Sequence, residues 1–187
     1  MSLSFANKVT IFRIISVPVF IASVLYYNPQ RDILRFISLG IFSLAVLSDV
    51  IDGYIARRWR EKTKAGAILD PIADKLLLIS AFICLYLVAD KFPVGLKFPL
   101  WFVLVVVSRD AIILLGAGII YAIQGDLEVV PTKWGKATTF FQVLSVMGLF
   151  LQFEFSFLIW CLTVIFTVIS GIGYLRRGVK ILNVSGA

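Results

Sequence analysis

The sequence predicts an all-α integral membrane protein with six transmembrane helices. Of its 187 residues, 60% are hydrophobic, and the mean hydropathy is +0.97. A soluble domain of this size cannot bury so much apolar surface, so lipid has to cover it. We expect a single membrane domain over residues 1–187, with spans of about 20 residues each. The spans are predicted at 7–27, 32–57, 67–89, 97–124, 131–153 and 154–177.

The segment boundaries rest on proline and on charge. The first segment carries Lys8 and Arg13 and lacks a clear small-residue cleavage site. We therefore expect a retained membrane helix there, not a signal peptide. Pro29 falls in the break before the second segment. Pro71 lies early in the third segment, where it either begins the helix or kinks it, and Pro131 opens the fifth.

Basic residues gather on one predicted side of the membrane. Of the 18 Lys and Arg residues, thirteen fall on that side, Arg13 and Lys75 among them, four fall on the other side, and Arg109 lies inside the fourth segment. Because cytoplasmic loops carry an excess of Lys and Arg, both termini are predicted to be cytoplasmic. The connector between the second and third segments is then cytoplasmic too. The sequence therefore indicates a multi-pass protein of the cell (inner) membrane with its active site facing the cytoplasm.

Composition excludes several classes of function. A sequence pI near 9.6 would suggest nucleic-acid binding in a soluble chain. Here we expect no nucleic acid, because the net charge of +7 fits topology and contact with anionic lipid. The chain has no histidine, which removes His-based acid–base catalysis and Ser-His-Asp triads. Cys84 and Cys161 lack a metal-ligand or redox spacing and are predicted to be small buried hydrophobes.

Four aspartates lie inside or beside two apolar segments. Asp49 and Asp52 are three residues apart, and Asp70 and Asp74 are four apart. Each pair therefore shares one helical face. Two such helices facing each other would bring four carboxylates together, and these would repel strongly in a low dielectric. A divalent cation, or two, would offset that charge, and all-oxygen ligands favour Mg²⁺, Mn²⁺ or Ca²⁺ over zinc or copper.

Residues beside the aspartates point to phosphate chemistry. Mg²⁺ usually takes few protein carboxylates and completes its shell with water and substrate phosphates. Gly53 and Gly66 have no side chain, so a ligand could approach the backbone closely there. Arg57 follows Asp52 by five residues, and its guanidinium can fork onto a phosphate.

The spacing of these residues resembles that of a known family. The pattern D-x2-D-G-x2-A-R-x8-G-x3-D-x3-D of the CDP-alcohol phosphotransferases is matched over 49–74 at all eight fixed positions. The resemblance implies a membrane transferase that displaces CMP from a CDP-linked lipid or alcohol and joins the phosphoryl group to a second alcohol. It also implies Mg²⁺ or Mn²⁺ as the cofactor, with two ions, and a homodimer.

The resemblance assigns roles position by position. Asp74 matches the presumed general base, which also touches the second metal. Two alternatives stay open: Asn7 is an ordinary helix N-cap, and Thr63 is an ordinary loop residue. The implied metal ligands are Asp49, Asp52, Asp70 and Asp74. The implied binding residues for CDP-diacylglycerol are Asn7, Thr10, Gly53, Arg57, Thr63 and Gly66.

Three basic residues are candidates for binding the acceptor. Arg109 lies inside the fourth segment and needs an anion, which is either Asp110 or an acceptor phosphate. Lys133 and Lys136 open the fifth segment. They either set the orientation of the chain in the membrane or bind the acceptor. If the three converge, the pocket suits a phosphorylated alcohol such as glycerol 3-phosphate. The segment around Arg109, together with 131–136, resembles the phosphatidylglycerophosphate synthase and eukaryotic-type cardiolipin synthase branches.

The sequence therefore predicts synthesis of phosphatidylglycerophosphate from CDP-diacylglycerol and glycerol 3-phosphate. One alternative keeps the chemistry and uses phosphatidylglycerol as the acceptor, which gives cardiolipin. An alternative of another class is a small ion-coupled transporter, whose carboxylates would be spread across the bilayer. Here the carboxylates cluster near one face, which disfavours a transporter. A catalytically silent lipid-binding scaffold is disfavoured because the signature is complete.

Overall fold

The computed structural model describes residues 5–30, 32–59, 64–92, 96–124 and 133–185 and is all-helical in these ranges. The all-α class predicted from the sequence is therefore confirmed. A 3₁₀ turn, Ala89–Lys91, lies between the third and fourth helices. The helices are α1 Phe5–Leu25, α2 Ile33–Trp59, α3 Lys64–Leu87, α4 Leu100–Gln124, α5 Lys133–Phe150 and α6 Ser156–Ser185.

Two helices depart from their predicted bounds in an informative way. α3 begins at Lys64 and runs through Pro71, so the proline does not begin this helix. α6 continues to Ser185, past the predicted end at 177. The prediction stopped where the apolar run gave way to Arg176 and Arg177. Backbone hydrogen bonding does not require apolar side chains, and a helix can therefore continue beyond the hydrocarbon region.

α5 ends in a Schellman motif. Gln152 adopts a positive φ of 54°. The Phe153 N–H donates to the Gly148 carbonyl at 2.9 Å, and the Gln152 N–H donates to the Leu149 carbonyl at 3.1 Å. These bonds satisfy carbonyls that a helix end leaves unpaired. They stop α5 at Phe150, just before the predicted end at 153.

α1 is the helix that joins the two segments carrying the signature. It packs extensively against both α2 and α3, and these contacts exceed those between α2 and α3 among the described residues. α6 packs against α5 and α4, and α4 also contacts α3. An aromatic-rich core lies between the helices and is fully buried at Phe20, Phe42, Phe82, Phe98, Phe102 and Phe150.

The helices have the lengths and apolar faces of an integral membrane protein. Within the described ranges, three stretches are long and apolar enough to cross a bilayer: Ile33–Ile51, Leu100–Ile119 and Ser156–Tyr174. The apolar part of α1, Val9–Leu25, is shorter than these three stretches. Many large apolar side chains point outward, as lipid-facing surfaces require. The count of six spans, the single-domain organisation and the cytoplasmic position of the termini stay predictions.

Candidate active site

The predicted metal ligand Asp49 is paired with an arginine on a different helix. Nη2 of Arg13 on α1 lies 2.9 Å from Oδ1 of Asp49 on α2. The Arg13 side chain is 1% exposed, and that of Asp49 is 42% exposed. A buried guanidinium requires an anion, and here the anion is Asp49. Helix α1 thus brings a positive charge to the signature. The exposed part of the Asp49 carboxylate leaves this group accessible to a ligand.

Asp74, the predicted base, lies on the side of α3 that faces this ion pair. It is half-buried, and its carboxyl interacts electrostatically with Asp49, Arg13, Lys75 and Asp110. One member of each predicted aspartate pair therefore reaches a shared region between α1, α2 and α3. Like charges in such a region need a neutralising partner. Arg13 provides part of that neutralisation.

Thr10 lies on the same face of α1 as Arg13. The two residues are three apart, which places them on neighbouring turns of one helical face. Thr10 is buried at 2% exposure. The structure thus brings this sequence-predicted binding residue close along α1 to the arginine that contacts the signature.

The other predicted residues of the signature are not described in full. Thr63 lies outside the described residues. The remaining ones belong to α1, α2 or α3, but their side chains lie outside the described part of the structure: Asn7, Asp52, Gly53, Arg57, Gly66 and Asp70. Their predicted roles stay predictions.

Arg109 pairs with the neighbouring aspartate, one of the two partners expected from the sequence. Its Nη1 donates to Oδ1 of Asp110 at 2.6 Å, and its Nη2 donates to Oγ of Ser170 on α6. Oδ2 of Asp110 accepts from Nζ of Lys75 at 3.2 Å and from Nε2 of Gln142 at 3.1 Å. The Asp110 side chain is 1% exposed. This buried polar cluster links α3, α4, α5 and α6.

The two candidate lysines lie at the first turns of α5. Lys133 and Lys136 are both exposed. No hydrogen bond or ion pair joins either lysine to Arg109 in the described ranges. Thr139, one turn further along α5, is 3.4 Å from Nζ of Lys75. On α5, the exposed lysines and the residue that contacts the polar cluster are therefore on successive turns.

Arg109 borders an apolar cleft on one side and makes its polar contacts on the other. A cleft of about 240 Å³ lies between α4 and α6, and its lining includes Arg109, Ile112, Val168 and Ile172. Arg109 places its guanidinium over the ring of Tyr174, with Cζ 5.6 Å from the centroid. Its polar contacts are made inward, to Asp110 and to α6. The cleft is therefore an apolar surface beside the arginine.

The described carboxylates fit a hard divalent cation in donor type. Asp49 and Asp74 supply oxygen ligands from two helices, which Mg²⁺ and Mn²⁺ accept. The described residues contain no group of three or more His, Cys, Asp or Glu side chains that could hold a metal ion. The side chains of Asp52 and Asp70 lie outside the described part of the structure. The metal site therefore stays a prediction that the donor chemistry supports.

Arg13, Lys75 and Asp110 are the residues that sequence reasoning missed. Arg13 and Lys75 were assigned only to membrane orientation, and Asp110 only to pairing with Arg109. A signal was present for Arg13, because a cation within an apolar segment needs an anion. It also follows Thr10 by three residues. For Lys75, the buried partner is on another helix, and sequence spacing does not reveal it.

The sequence matches known proteins over nearly its full length. It matches the model of the CDP-alcohol phosphatidyltransferase family over residues 3–169. It is 30% identical to a probable phosphatidylglycerophosphate synthase of Mycobacterium tuberculosis, over 94% of this chain and 81% of that protein.

Two further relatives carry different names. The chain is 30% identical to the CDP-diacylglycerol–glycerol-3-phosphate 3-phosphatidyltransferase of Bacillus subtilis, over 96% of this chain and 97% of that protein. It is also 30% identical to the human cardiolipin synthase (CMP-forming), over 79% of this chain and 54% of that protein. The extent of the family match, together with the complete signature on α2 and α3, establishes that this chain belongs to the CDP-alcohol phosphatidyltransferase family.

Proposed function

We propose that this chain makes phosphatidylglycerophosphate and CMP from CDP-diacylglycerol and glycerol 3-phosphate. The observation that carries the proposal is the complete signature over 49–74, whose Asp49 and Asp74 interact electrostatically across α2 and α3. The relatives named for this activity support the choice of acceptor, since they align with 94% and 96% of the chain. The transferase family also favours an enzyme over an ion-coupled transporter.

The chemistry is a displacement at phosphorus. The acceptor hydroxyl oxygen forms a bond to the phosphorus that carries the diacylglycerol. The bond from this phosphorus to the bridging oxygen breaks, and CMP leaves with that oxygen. The hydroxyl proton passes to the Asp74 carboxylate, which acts as the general base. The half-buried position of Asp74 at the junction of α1, α2 and α3 suits a base that must reach a bound alcohol.

The aspartates of the signature form the proposed metal centre. Asp49, Asp52, Asp70 and Asp74 would hold Mg²⁺ or Mn²⁺, which the family resemblance implies as two ions. When bound, the ions offset the charge of the diphosphate and of the departing CMP. Arg13 orients the Asp49 carboxylate through its 2.9 Å contact, and it limits repulsion among the aspartates before the substrate arrives.

The donor substrate is held by residues of α1, α2, the following connector and the start of α3. Arg57 forks onto the diphosphate, and Gly53 and Gly66 allow its close approach. Thr10, which is buried beside the Arg13 face of α1, contributes a hydroxyl to the same pocket. Asn7 and Thr63 complete the proposed binding site for CDP-diacylglycerol.

The acceptor phosphate is bound by basic residues of α4 and α5. Lys133 and Lys136 are exposed at the start of α5 and are available to an anion. Arg109 supplies positive charge deeper in the bundle, where one carboxylate, Asp110, faces both Arg109 and Lys75. Basic residues on both helices favour a phosphorylated alcohol such as glycerol 3-phosphate.

The protein is placed in the cell (inner) membrane with six spans and cytoplasmic termini. The distribution of Lys and Arg supports this orientation. It lets the lipid substrate enter from the bilayer while glycerol 3-phosphate arrives from the cytoplasm. Homodimer formation is part of the same proposal, and it rests on the family alone.

CMP release by the purified chain tests the proposal. The protein receives Mg²⁺ and CDP-diacylglycerol, with glycerol 3-phosphate or phosphatidylglycerol in separate reactions. CMP release with glycerol 3-phosphate alone is the expected result. Absence of CMP release with every alcohol offered, inositol phosphate included, would remove the enzyme assignment.

Cardiolipin synthesis is the second candidate function. It is favoured by the 30% identity to the human cardiolipin synthase, although the chain spans 54% of that protein. CMP release with phosphatidylglycerol alone would move the acceptor assignment to this branch. The aspartate assignments would be unaffected, since both reactions displace CMP from the same donor.

A further inference from the structure

Asp110 is the centre of a buried polar cluster that the proposed chemistry does not use directly. Its two carboxylate oxygens accept hydrogen bonds from Arg109 on α4, Lys75 on α3 and Gln142 on α5. The carboxylate is almost fully buried, and the side chain of Lys75 is only 12% exposed. One anion therefore holds donors from three helices at one point.

The donors of this cluster are themselves held by second contacts. Lys75 also lies 3.4 Å from Oγ1 of Thr139 on α5. Arg109 also donates to Ser170 on α6. Lys75 and Arg109 therefore each make two side-chain contacts. Together these contacts fix α3 relative to α4, α5 and α6.

Stability alone is a weak reason for such a cluster. Desolvation of buried charges offsets most of their attraction, and apolar replacements of buried ion pairs are often as stable. Here the Asp110 carboxylate is shared between two cations, and each cation also needs further polar partners, so the arrangement is more costly than one isolated pair. A role in fixing geometry is better supported.

The geometry that the cluster fixes is that of Asp74. Lys75 follows Asp74 directly on α3, and consecutive helical residues point about 100° apart. The Lys75 ammonium donates to Asp110 on α4, and the Asp74 carboxyl interacts electrostatically with Lys75 and Asp110 as well as with Asp49 and Arg13. The direction of Lys75 therefore sets the rotation of α3 about its own axis at the turn that carries Asp74.

We propose that Asp110 is a positioning residue for the transfer reaction, which holds Lys75 and thereby aims Asp74 at the acceptor hydroxyl. This inference rests on the proposed function of Asp74 as the base. A misplacement of a reacting group by about 1 Å can lower turnover on the order of 100-fold. Binding of the CDP-diacylglycerol donor does not depend on this aim, so the effect falls on kcat and not on the KM for the donor.

The test compares Lys75→Met and Asp110→Asn with the wild-type protein and with Asp74→Asn. Lys75→Met keeps Asp110 paired with Arg109 and Gln142, so it is the variant expected to fold. We expect it to lower kcat about 10- to 100-fold, with the KM for CDP-diacylglycerol and the melting temperature close to the wild-type values. Lys75→Arg and Asp110→Glu should restore part of kcat. The double variant should lose no more than the worse single variant, because the two residues act as one unit.

A matched control is Asp32→Asn, which removes an aspartate that pairs with Arg35 at 2.9 Å at the start of α2. It should leave kcat unchanged. Wild-type kcat in folded Lys75→Met and Asp110→Asn would overturn the inference. So would equal losses of kcat and melting temperature without rescue by the conservative variants, since these describe a purely structural cluster. An inactive wild type, or an active Asp74→Asn, would instead overturn the proposed function, and the inference with it.

Discussion

The Arg13 guanidinium on α1 lies 2.9 Å from the Asp49 carboxylate on α2, and it is almost completely buried. The contact makes α1 part of the signature site, although the signature itself lies on α2 and α3. A residue that holds a metal ligand from behind affects the ligand's orientation and basicity. One aspartate of the family signature is therefore paired with a cation outside the signature's own span.

Replacement of Arg13 tests this dependence. Arg13→Ala leaves the Asp49 carboxylate without the guanidinium, and we expect Mn²⁺ affinity and kcat/KM to fall about 10- to 100-fold, as for other partners of metal ligands. Arg13→Lys keeps the charge but loses the planar fork, so it should be intermediate. Mn²⁺ binding, measured by electron paramagnetic resonance of the free ion, checks the first effect without turnover.

The matched control for Arg13 is Arg35→Ala. Arg35 is also buried and also lies 2.9 Å from an aspartate, but it is about 21 Å from Asp49 along α2 at 1.5 Å per residue. It should leave Mn²⁺ affinity unchanged. Equal effects of the two alanine variants would mean that Arg13 acts through general stability.

Removal of Asp49 should act on the metal. Asp49→Ala deletes a proposed ligand, and we expect a loss of Mn²⁺ affinity of more than about tenfold, together with weaker CDP binding. Asp90→Ala is the control, because Asp90 is an exposed aspartate that pairs with Lys97 on the loop before α4. An unchanged Mg²⁺ titration of activity in Asp49→Ala would remove Asp49 from the metal site.

Asp74→Asn should separate chemistry from binding. The amide keeps the shape of the carboxyl but cannot accept the hydroxyl proton, so we expect turnover to fall at least about 100-fold. Binding of CDP-diacylglycerol, measured by protection against thermal unfolding, should stay close to that of the wild type. Normal turnover in this variant would show that another group is the base.

The α5–α6 turn provides a prediction of stability. Gln152 occupies a left-handed conformation, which costs a non-glycine residue about 1–2 kcal/mol. Gln152→Gly removes that cost but adds freedom to the unfolded chain, so the net gain should be about 0.5 kcal/mol, or 1–2 °C in melting temperature. Gln152→Val should lower the melting temperature, because a branched side chain fits this conformation poorly. A lower melting temperature for Gln152→Gly would contradict the strain assignment.

The helices were predictable because their signal lies within each segment. Apolar length placed all six, and the end of α6 was missed because the helix outlasts its apolar run. The positive φ at Gln152 was not predictable, since glutamine carries no preference for it. It belongs to the Schellman motif that ends α5, whose hydrogen bonds run from Phe153 to Gly148 and from Gln152 to Leu149.

The site was predictable only within each helix. The three- and four-residue spacings identified aspartates that share a face, and in the structure Asp74 lies within electrostatic reach of Asp49. The partners that neutralise them come from other helices, and helix packing alone decides which these are. Arg13 and Lys75 look like orientation signals in the sequence, but in the folded chain they form ion pairs between helices with Asp49 and Asp110.

The acceptor assignment is tested by the exposed lysines of α5. Lys133→Gln and Lys136→Gln remove positive charge without shortening the side chain much. Because a phosphate contact to a lysine is charge-assisted, each variant should raise the KM for glycerol 3-phosphate about 10-fold or more. The KM for CDP-diacylglycerol should be unchanged, because the proposed donor-binding residues lie on α1, α2, the connector and the start of α3. Lys97→Gln, on the opposite side of the predicted membrane, is the control. Unchanged KM values for glycerol 3-phosphate in both α5 variants would leave these lysines with a role in membrane orientation only, and the acceptor site would then have to be sought around Arg109.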